Sequence, residues 1–237
     1  MVQPFFTFSP LEIKIMCGRF ALKAPPRSIR NHFNLPETVA LEPRYNIAPS
    51  QAVAVIRQMA GSKIRQLDML RWGLIPSWAR DMKIGYKMIN ARAETLPQKP
   101  SFRSAFKKRR CLVAADGFYE WLHAGNTKTP FFVHLKNGDV FGFAGLWETW
   151  KSQEGDIIES CTIITTAPND LVKGIHDRMP VIIHPDQYET WLEDSSGTDL
   201  LQQLLNPYPA AEMEMHRVGP AVNSPKNDTP DCSVSID

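Results

Sequence analysis

The chain of 237 residues has little net charge, few cysteines and no long apolar run. Lysine and arginine number 27 against 25 aspartates and glutamates, so the net charge of +2 supplies no bulk field for nucleic acid and leaves only a local basic face open. The four cysteines form no C-x-x-C pair, which argues against a zinc site or a dense disulfide framework and favours a reducing, cytoplasmic setting. No segment approaches the length of a membrane span. We therefore expect a protein with no metal, no cofactor and no membrane anchor.

The first 15 residues lack what a targeting segment needs. They contain three phenylalanines and two prolines, but no basic start and no unbroken apolar stretch, so they do not fit a signal peptide. The rest of the chain lacks internal repeats and low-complexity linkers, and this favours one domain. Its last segment is rich in turn residues, and we expect a loose tail at 227–237.

Apolar periodicity predicts a single α+β domain with more strand than helix. Apolar, β-branched runs predict strands at 52–58, 63–73, 131–135, 140–146, 161–166 and 180–184. Helical spacing of apolar residues predicts helices at 25–35, 186–193 and 198–206. Between the third and fourth strand runs, the sequence Lys-Asn-Gly-Asp predicts a β-hairpin.

Four side chains suggest chemistry, although each also has a plain structural explanation. Cys17 follows an internal methionine, but a free cysteine is most often a small buried hydrophobe. Glu120 lies between two aromatic residues, where a partly desolvated carboxylate has the raised pKa that a general acid or base needs; a strand with its polar face in water fits equally well. His176 is either a proton-transfer group or a loop residue in a surface ion pair. Asn90 begins a segment that fits a strand end with a solvated charge pair.

Six short blocks occur in order along the chain: MCGRF at 16–20, RYNIAPSQ at 44–51, RWGLIPSWA at 71–79, INARAET at 89–95, ADGFYEW at 115–121 and GIHDRMP at 174–180. In order and spacing they resemble the blocks of the SOS response-associated peptidase (SRAP) family, also called abasic-site processing proteins. The similarity runs from Met16 to about Lys226. It implies a mainly antiparallel, barrel-like β core flanked by a few helices, in a domain over 17–226 that follows a non-family extension at 1–16.

This resemblance implies a DNA repair protein of the SOS response that traps abasic sites in single-stranded DNA. It implies the catalytic residues Cys17, Asn90, Glu120 and His176. It implies the DNA-binding residues Arg19, Pro49, Trp78, Arg92 and Thr165. Pro49 and Trp78 correspond to positions that meet the bases flanking the lesion. Ala79 stands where some relatives carry a second aromatic residue, which predicts a weaker wedge at a duplex junction.

The expected chemistry needs Cys17 at the N-terminus, where an α-amine with a pKa of about 7.7–8.0 adjoins a thiol with a pKa of about 8.5. We expect the amine to form an imine with the abasic aldehyde and the thiolate to close a thiazolidine. An amide nitrogen cannot form the imine, because its lone pair is delocalised. Either translation begins at Met16, which is then removed, or residues 1–16 are a leader that is cut away. Attack by the thiol on the preceding carbonyl would make the protein a self-processing cysteine peptidase as well as a lyase-like crosslinking enzyme.

Other functions stay open from the residues alone. A glutamine amidotransferase also begins Met-Cys-Gly, but it needs an Asn-Gly oxyanion segment, and Asn137-Gly138 fits a hairpin turn better. A non-covalent single-stranded DNA-binding module predicts reversible binding that Cys17→Ala leaves unchanged. A general protease needs a peptide-specificity pocket that the sequence does not show. We expect a monomer in the cytoplasm, associated with the nucleoid or replication fork, with replication-fork proteins as candidate partners.

Overall fold

A computed structural model describes residues 17–38, 40–58, 61–125 and 127–237, so the predicted extension at 1–16 lies outside the described residues. The strands are β1 (Phe20–Leu22), β2 (Arg44–Ile47), β3 (Ala52–Gln58), β4 (Arg65–Trp72), β5 (Asn90–Arg92), β6 (Arg110–Ala115), β7 (Gly117–Ala124), β8 (Thr127–Leu135), β9 (Phe141–Lys151), β10 (Ile157–Thr166), β11 (Met179–Pro180), β12 (Ile182–Ile183) and β13 (Met213–Arg217). The α-helices are α1 (Pro26–Phe33), α2 (Arg103–Lys108), α3 (Tyr188–Leu192) and α4 (Thr198–Gln203).

The centre of the fold is a closed barrel of strands. The ring runs β10–β4–β3–β6–β9, and β9 pairs back with β10 to close it. The β4–β10 pairing is parallel and the other pairings in the ring are antiparallel. The short strands β5, β11 and β12 extend its rim by pairing with β10 or β9. The α+β class and the mainly antiparallel, barrel-like core are confirmed.

A second sheet, in the order β13–β8–β7–β1–β2, covers one side of the barrel. Since side chains alternate along a strand, β7 sends Phe118 toward the barrel and Tyr119 to the opposite face. Phe20 of β1 packs edge-on against Trp72 of β4, with ring centroids 5.1 Å apart. The inner face of this sheet therefore shares its core with the barrel.

The outer face of the second sheet is covered by the C-terminal segment, so the prediction of a loose tail at 227–237 is wrong. Val222 and Cys232 pack there against Tyr119 and Phe132, and all four are buried. Asp228 accepts hydrogen bonds from two backbone N–H groups of β2, at 2.5 and 2.9 Å. The turn-rich composition predicted an exposed tail. The tail is packed instead, because it buries the apolar surface of Tyr119 and Phe132 on the outer face.

The predicted hairpin over 131–135 and 140–146 is also wrong, although its turn is present. Gly138 adopts a φ of +70° and its N–H donates to the carbonyl of Leu135 at 3.0 Å. The two strands then diverge, because β8 pairs with β7 and β13 in the second sheet, whereas β9 joins the barrel. The turn residues therefore reverse the chain direction, but they do not determine which strands pair.

The strands predicted at 52–58 and 63–73 and the helix predicted at 25–35 are confirmed, with ends shifted by a few residues. Helix α1 begins behind Pro25, buries Ile29 and Phe33, and ends at Asn34 in the left-handed conformation. The regions predicted as helical at 186–193 and 198–206 contain the shorter helices α3 and α4. Periodicity was reliable where one face of an element is buried.

Candidate active site

Four predicted catalytic residues from distant parts of the chain meet at one end of the barrel. Cys17 precedes β1, Asn90 begins β5, Glu120 lies within β7 and His176 follows a short helical turn at 172–174. The backbone nitrogen of Cys17 donates to Oε1 of Glu120 at 2.9 Å, across 103 residues of sequence. Nδ2 of Asn90 donates to the carbonyl oxygen of Cys17 at 3.4 Å. Nε2 of His176 lies 4.0 Å from Oε2 of Glu120.

The local backbone explains how Cys17 comes to face the carboxylate. Glu120 is two residues beyond Phe118 on β7 and so points to the same, inner face of the sheet. Cys17 has a φ of +31°, a conformation that costs a residue with a side chain roughly 1–3 kcal/mol.

Burial controls the protonation of Glu120. Only 2% of the residue is exposed, and this desolvation raises the pKa of the carboxyl to about 8. The hydrogen bond from the Cys17 N–H opposes the rise in pKa, and the charge of Asp177 adds to it. Near neutral pH the carboxyl is therefore mostly protonated and poised to exchange its proton, as a general acid or base must be.

The Cys17 thiol is also held in its neutral form. Burial raises its pKa well above the ordinary thiol value, and the nearby Glu120 adds to the rise. The thiol, rather than the thiolate, is the resting species, so any nucleophilic step by sulfur requires a base to take its proton. Cys17, Cys111, Cys161 and Cys232 are all free and buried.

His176 is oriented through both ring nitrogens. Its side chain is 7% exposed, with Nε2 toward Glu120 and Nδ1 3.2 Å from Oδ1 of Asp177. The backbone N–H of Arg178 also lies 3.0 Å from Nδ1. Because Asp177 is largely exposed, the imidazole stands between the buried carboxyl and solvent and offers a path for protons.

We expect the free energy of unfolding to depend less on pH in Glu120→Gln than in the wild type. The folded-state pKa of about 8 exceeds the unfolded value of about 4.3, so the folded protein holds a proton that the unfolded chain has released. This contribution is full below about pH 4.3 and is lost as the pH rises toward 8. Denaturant unfolding at pH 5, 6, 7 and 8 should show the wild type losing stability relative to Glu120→Gln. If the free energy of unfolding changes with pH by the same amount in both proteins, the pKa of Glu120 is not raised.

Comparisons with known proteins show the family of the chain. The family model described as SOS response associated peptidase (SRAP) matches residues 16–225. The chain belongs to the SRAP family. It is 49% identical over 221 residues to "Abasic site processing protein YoqW" of Bacillus subtilis (strain 168), covering 91% of this chain and 98% of that protein. It is 30% identical over 266 residues to "Abasic site processing protein HMCES" of Xenopus tropicalis, covering 93% of this chain and 78% of that protein.

Solved structures support the same SRAP fold. A protein from Bacteroides thetaiotaomicron superposes with a TM-score of 0.83 at 27% identity, covering 92% of this chain and 99% of that one. A protein from Bordetella bronchiseptica gives a TM-score of 0.73 at 28% identity, covering 86% and 100% of the two chains. The amidotransferase alternative also loses its sequence support, because Asn137 is a turn residue whose amide donates to Asp139.

Two predicted DNA-binding residues of the SRAP domain lie side by side next to the catalytic cluster. Arg92 of β5 pairs in register with Thr165 of β10. The Arg92 side chain is exposed and forms no ion pair within the described part of the chain. The Thr165 hydroxyl is buried, and no described residue satisfies it. An exposed cation therefore stands beside a buried hydroxyl at the rim of the site.

Three other predicted DNA-binding residues are not brought into this cluster. Arg19 is turned to the outer face, where Nη1 donates to Oδ1 of Asn46 at 2.8 Å and to the carbonyl of Val222 at 2.7 Å. Trp78 is 59% exposed and Pro49 is half-buried. Among the described residues, no hydrogen bond or ring contact joins either of them to Cys17 or Glu120.

An ion pair that sequence reasoning missed holds the site's loops together. Both Nη atoms of Arg178 donate to the carboxylate of Glu94, at 2.5 and 2.9 Å, and Nη2 also donates to the carbonyl of Thr165 at 2.6 Å. This pair ties the loop of His176 to β5 and β10, and it lowers the pKa of Glu94. Both residues lie in the SRAP blocks, but 84 residues separate them, and neither block contains a signal for the pairing.

Two further findings bear on cofactors and membranes. In the described ranges, no group of three or more His, Cys, Asp or Glu side chains is arranged to hold a metal ion. Those ranges also contain no helix long and apolar enough to cross a membrane.

Proposed function

We propose that this SRAP protein processes abasic sites in single-stranded DNA by forming a thiazolidine crosslink through Cys17. The observation that carries the proposal is the 2.9 Å hydrogen bond between the nitrogen of Cys17 and buried Glu120. It places the nitrogen, and not only the sulfur, against a group that can exchange a proton. The names of the relatives, which describe abasic site processing, support the same substrate.

The reaction requires the α-amine of Cys17. The amine adds to the aldehyde carbon of the ring-opened abasic sugar, and loss of water gives an imine. The thiol sulfur then adds to the imine carbon while its proton passes to nitrogen, which closes a five-membered ring without an oxidant or reductant. Because sulfur and nitrogen sit on adjacent carbons, the second addition is intramolecular and gains the advantage of proximity.

Glu120 and His176 serve the proton transfers in this proposal. A carboxyl whose pKa is raised by burial donates a proton as water leaves and accepts one as the sugar or the thiol is deprotonated. His176 exchanges that proton with solvent from its position 4.0 Å away. Asn90 orients Cys17 through the hydrogen bond to its carbonyl oxygen.

The other predicted residues bind the DNA strand. Arg92 contributes a charge-assisted contact to phosphate beside the site, and Thr165 lies next to the abasic nucleotide. Arg19 binds phosphate through the N–H groups of its guanidinium that do not donate to Asn46 and Val222. Trp78 and Pro49 contact flanking bases without sequence preference.

Self-processing is a linked activity of the same residues. With residues 1–16 attached, the nitrogen of Cys17 is an amide and the crosslink cannot form. Attack of the Cys17 thiol on the carbonyl of residue 16 breaks that amide, forms a thioester and frees the amine, and water then releases the leader. The peptidase description of the family fits this single cleavage.

A denaturing gel tests the proposal. Protein that begins at Cys17, verified by intact mass, is incubated with three single-stranded oligonucleotides that carry an abasic site, a tetrahydrofuran analogue or an ordinary base. We expect a shifted band with the abasic site alone, because the analogue has no aldehyde. The adduct mass should equal protein plus DNA minus one water. Equal shifts with all three strands, or none, would remove the proposal.

A further inference from the structure

The segment that links β4 to β5 folds as a closed, tightly packed loop. The backbones of Gly73 and Gly85 touch, since a Cβ placed on either glycine would lie 2.7 Å from the carbonyl oxygen of the other. Gly73 also has a φ of +123°, which favours glycine. The N–H of Leu74 donates to the carbonyl of Met88 at 3.1 Å, which closes the base of the loop. The loop is thus a compact unit rather than an extended connection.

The same loop is fastened to the barrel at several points. The indole Nε1 of Trp150 donates to the carbonyl of Ala79 at 2.7 Å. The N–H of Ile75 donates to the hydroxyl of Ser160 at 2.8 Å. Asp81 caps the short helical turn Met82–Lys87 by accepting from its backbone. The backbone of this loop is therefore held in place, and the side chains of Leu74 and Ile75 are buried.

Two aromatic rings stand out from this fastened loop. Trp78 is 59% exposed and Tyr86 is 58% exposed, and they are the aromatic members among the large exposed apolar side chains of the described ranges. The guanidinium of Arg71 lies 5.5 Å from the centre of the Tyr86 ring. Nη1 of Arg71 donates to the carbonyl of Ser50 at 2.9 Å, directly after Pro49. Tyr86 is thus connected through Arg71 to a loop already predicted to bind DNA.

The charge of this region is strongly biased. Residues 71–90 contain four basic residues and one acidic residue, Asp81, in a chain whose net charge is only +2. The basic residues are Arg71, Arg80, Lys83 and Lys87. None of them forms an ion pair with another described residue, in contrast to Arg57, which pairs with Asp68 and Glu159. A surface of unpaired cations and exposed rings suits a phosphate backbone with unstacked bases.

The loop also begins and ends beside the candidate active site. Trp72, just before it, donates from Nε1 to the carbonyl of Ile89, which precedes Asn90. We therefore expect a strand whose lesion lies at Cys17 to run along this loop.

The geometry points to Tyr86, backed by Arg71, as a second base-stacking position for single-stranded DNA, beyond the base that meets Trp78. This inference rests on the proposed function, and adds to it a residue that extends the stretch of DNA in contact with the protein. Stacking on an aromatic face accepts any base, so the position contributes affinity without sequence preference. The role of Arg71 is to hold the ring and to supply charge close to the backbone.

The test uses protein that begins at Cys17 and single strands with a central tetrahydrofuran site, which bind without reacting. The fluorescent base 2-aminopurine is placed at each of the positions near the lesion on either side. The wild type should quench fluorescence at one position that Tyr86→Ala leaves bright, and Tyr86→Phe should quench as the wild type does. Affinity should fall about tenfold in Tyr86→Ala. Ile157→Ala removes another exposed apolar side chain, at the far end of β10; it serves as the control and should change neither readout.

Crosslinking to an aldehydic abasic strand is measured on the same proteins. If the wild type crosslinks and Tyr86→Ala changes neither quenching nor affinity, the stacking position is wrong while the proposed function stands. If the wild type quenches through Tyr86 but forms no crosslink, the stacking position stands and the proposed chemistry fails. Quenching that disappears with Trp78→Ala but persists with Tyr86→Ala would also overturn the assignment to Tyr86.

Discussion

Protein that begins at Cys17 should crosslink an abasic strand, whereas protein that keeps residues 1–16 should form no crosslink at all. The difference is all-or-none because an amide nitrogen cannot form the imine. The measurement pairs a denaturing gel with the intact mass of each preparation, so that a chain that processes itself during the experiment is recognised by the mass it loses. If a chain that retains residues 1–16 throughout still crosslinks through Cys17, the proposed mechanism is wrong.

A matched pair of variants separates the roles of nitrogen and sulfur in this prediction. Cys17→Ala at the N-terminus keeps the amine and lacks the thiol, so we expect no durable band but a band after borohydride, which reduces the imine to a stable amine. Cys111→Ala removes a thiol that is equally buried but lies in the barrel wall, and it should crosslink as the wild type does. A durable band from Cys17→Ala without borohydride would show that sulfur is not needed.

Glu120→Gln should slow crosslinking by about 100- to 10,000-fold, the range for the loss of a general acid or base. The amide keeps the shape of the side chain but cannot exchange a proton. Because the carboxyl is mostly protonated in the folded protein, a neutral amide should not destabilise the fold near neutral pH. The rate constant for adduct formation, measured with saturating DNA at pH 6 to 9, reports the effect. The wild-type rate should vary with pH across this range, and the variant should lose the part of that variation that Glu120 causes.

Glu148→Gln is a suitable control for this experiment. Glu148 is also a largely buried carboxylate, but it pairs with Arg109 and lies opposite Ser160 of β10, whereas Asn90 lies opposite Ile163. We expect it to lower stability and leave the crosslinking rate unchanged. If Glu148→Gln slows the reaction as much as Glu120→Gln, the effect comes from the fold. If Glu120→Gln reacts at the wild-type rate, Glu120 is not the proton-transfer group.

Residue patterns located the four catalytic candidates but not their arrangement. Cys17 and Glu120 belong to separate blocks, and only the folded chain shows that the nitrogen of one meets the carboxylate of the other. Alternation along β7 was compatible with a solvated Glu120, and burial between the second sheet and the barrel decided against it. Arg19 shows the converse, since its position in a block beside Cys17 did not reveal that the side chain turns to the outer face.

The sequence by itself determined the family, the α+β class, four of the five strands of the barrel ring (β3, β4, β9 and β10) and the residue types available for chemistry, whereas β6 was not predicted. These follow from short-range patterns, namely side-chain periodicity, turn residues and ordered blocks, and such patterns are complete within a few residues. Tertiary structure alone decided that β8 and β9 separate, that the tail covers Tyr119, and that Glu94 pairs with Arg178. Each of those outcomes depends on which distant surfaces bury one another, and burial is a property of the assembled chain rather than of any single segment.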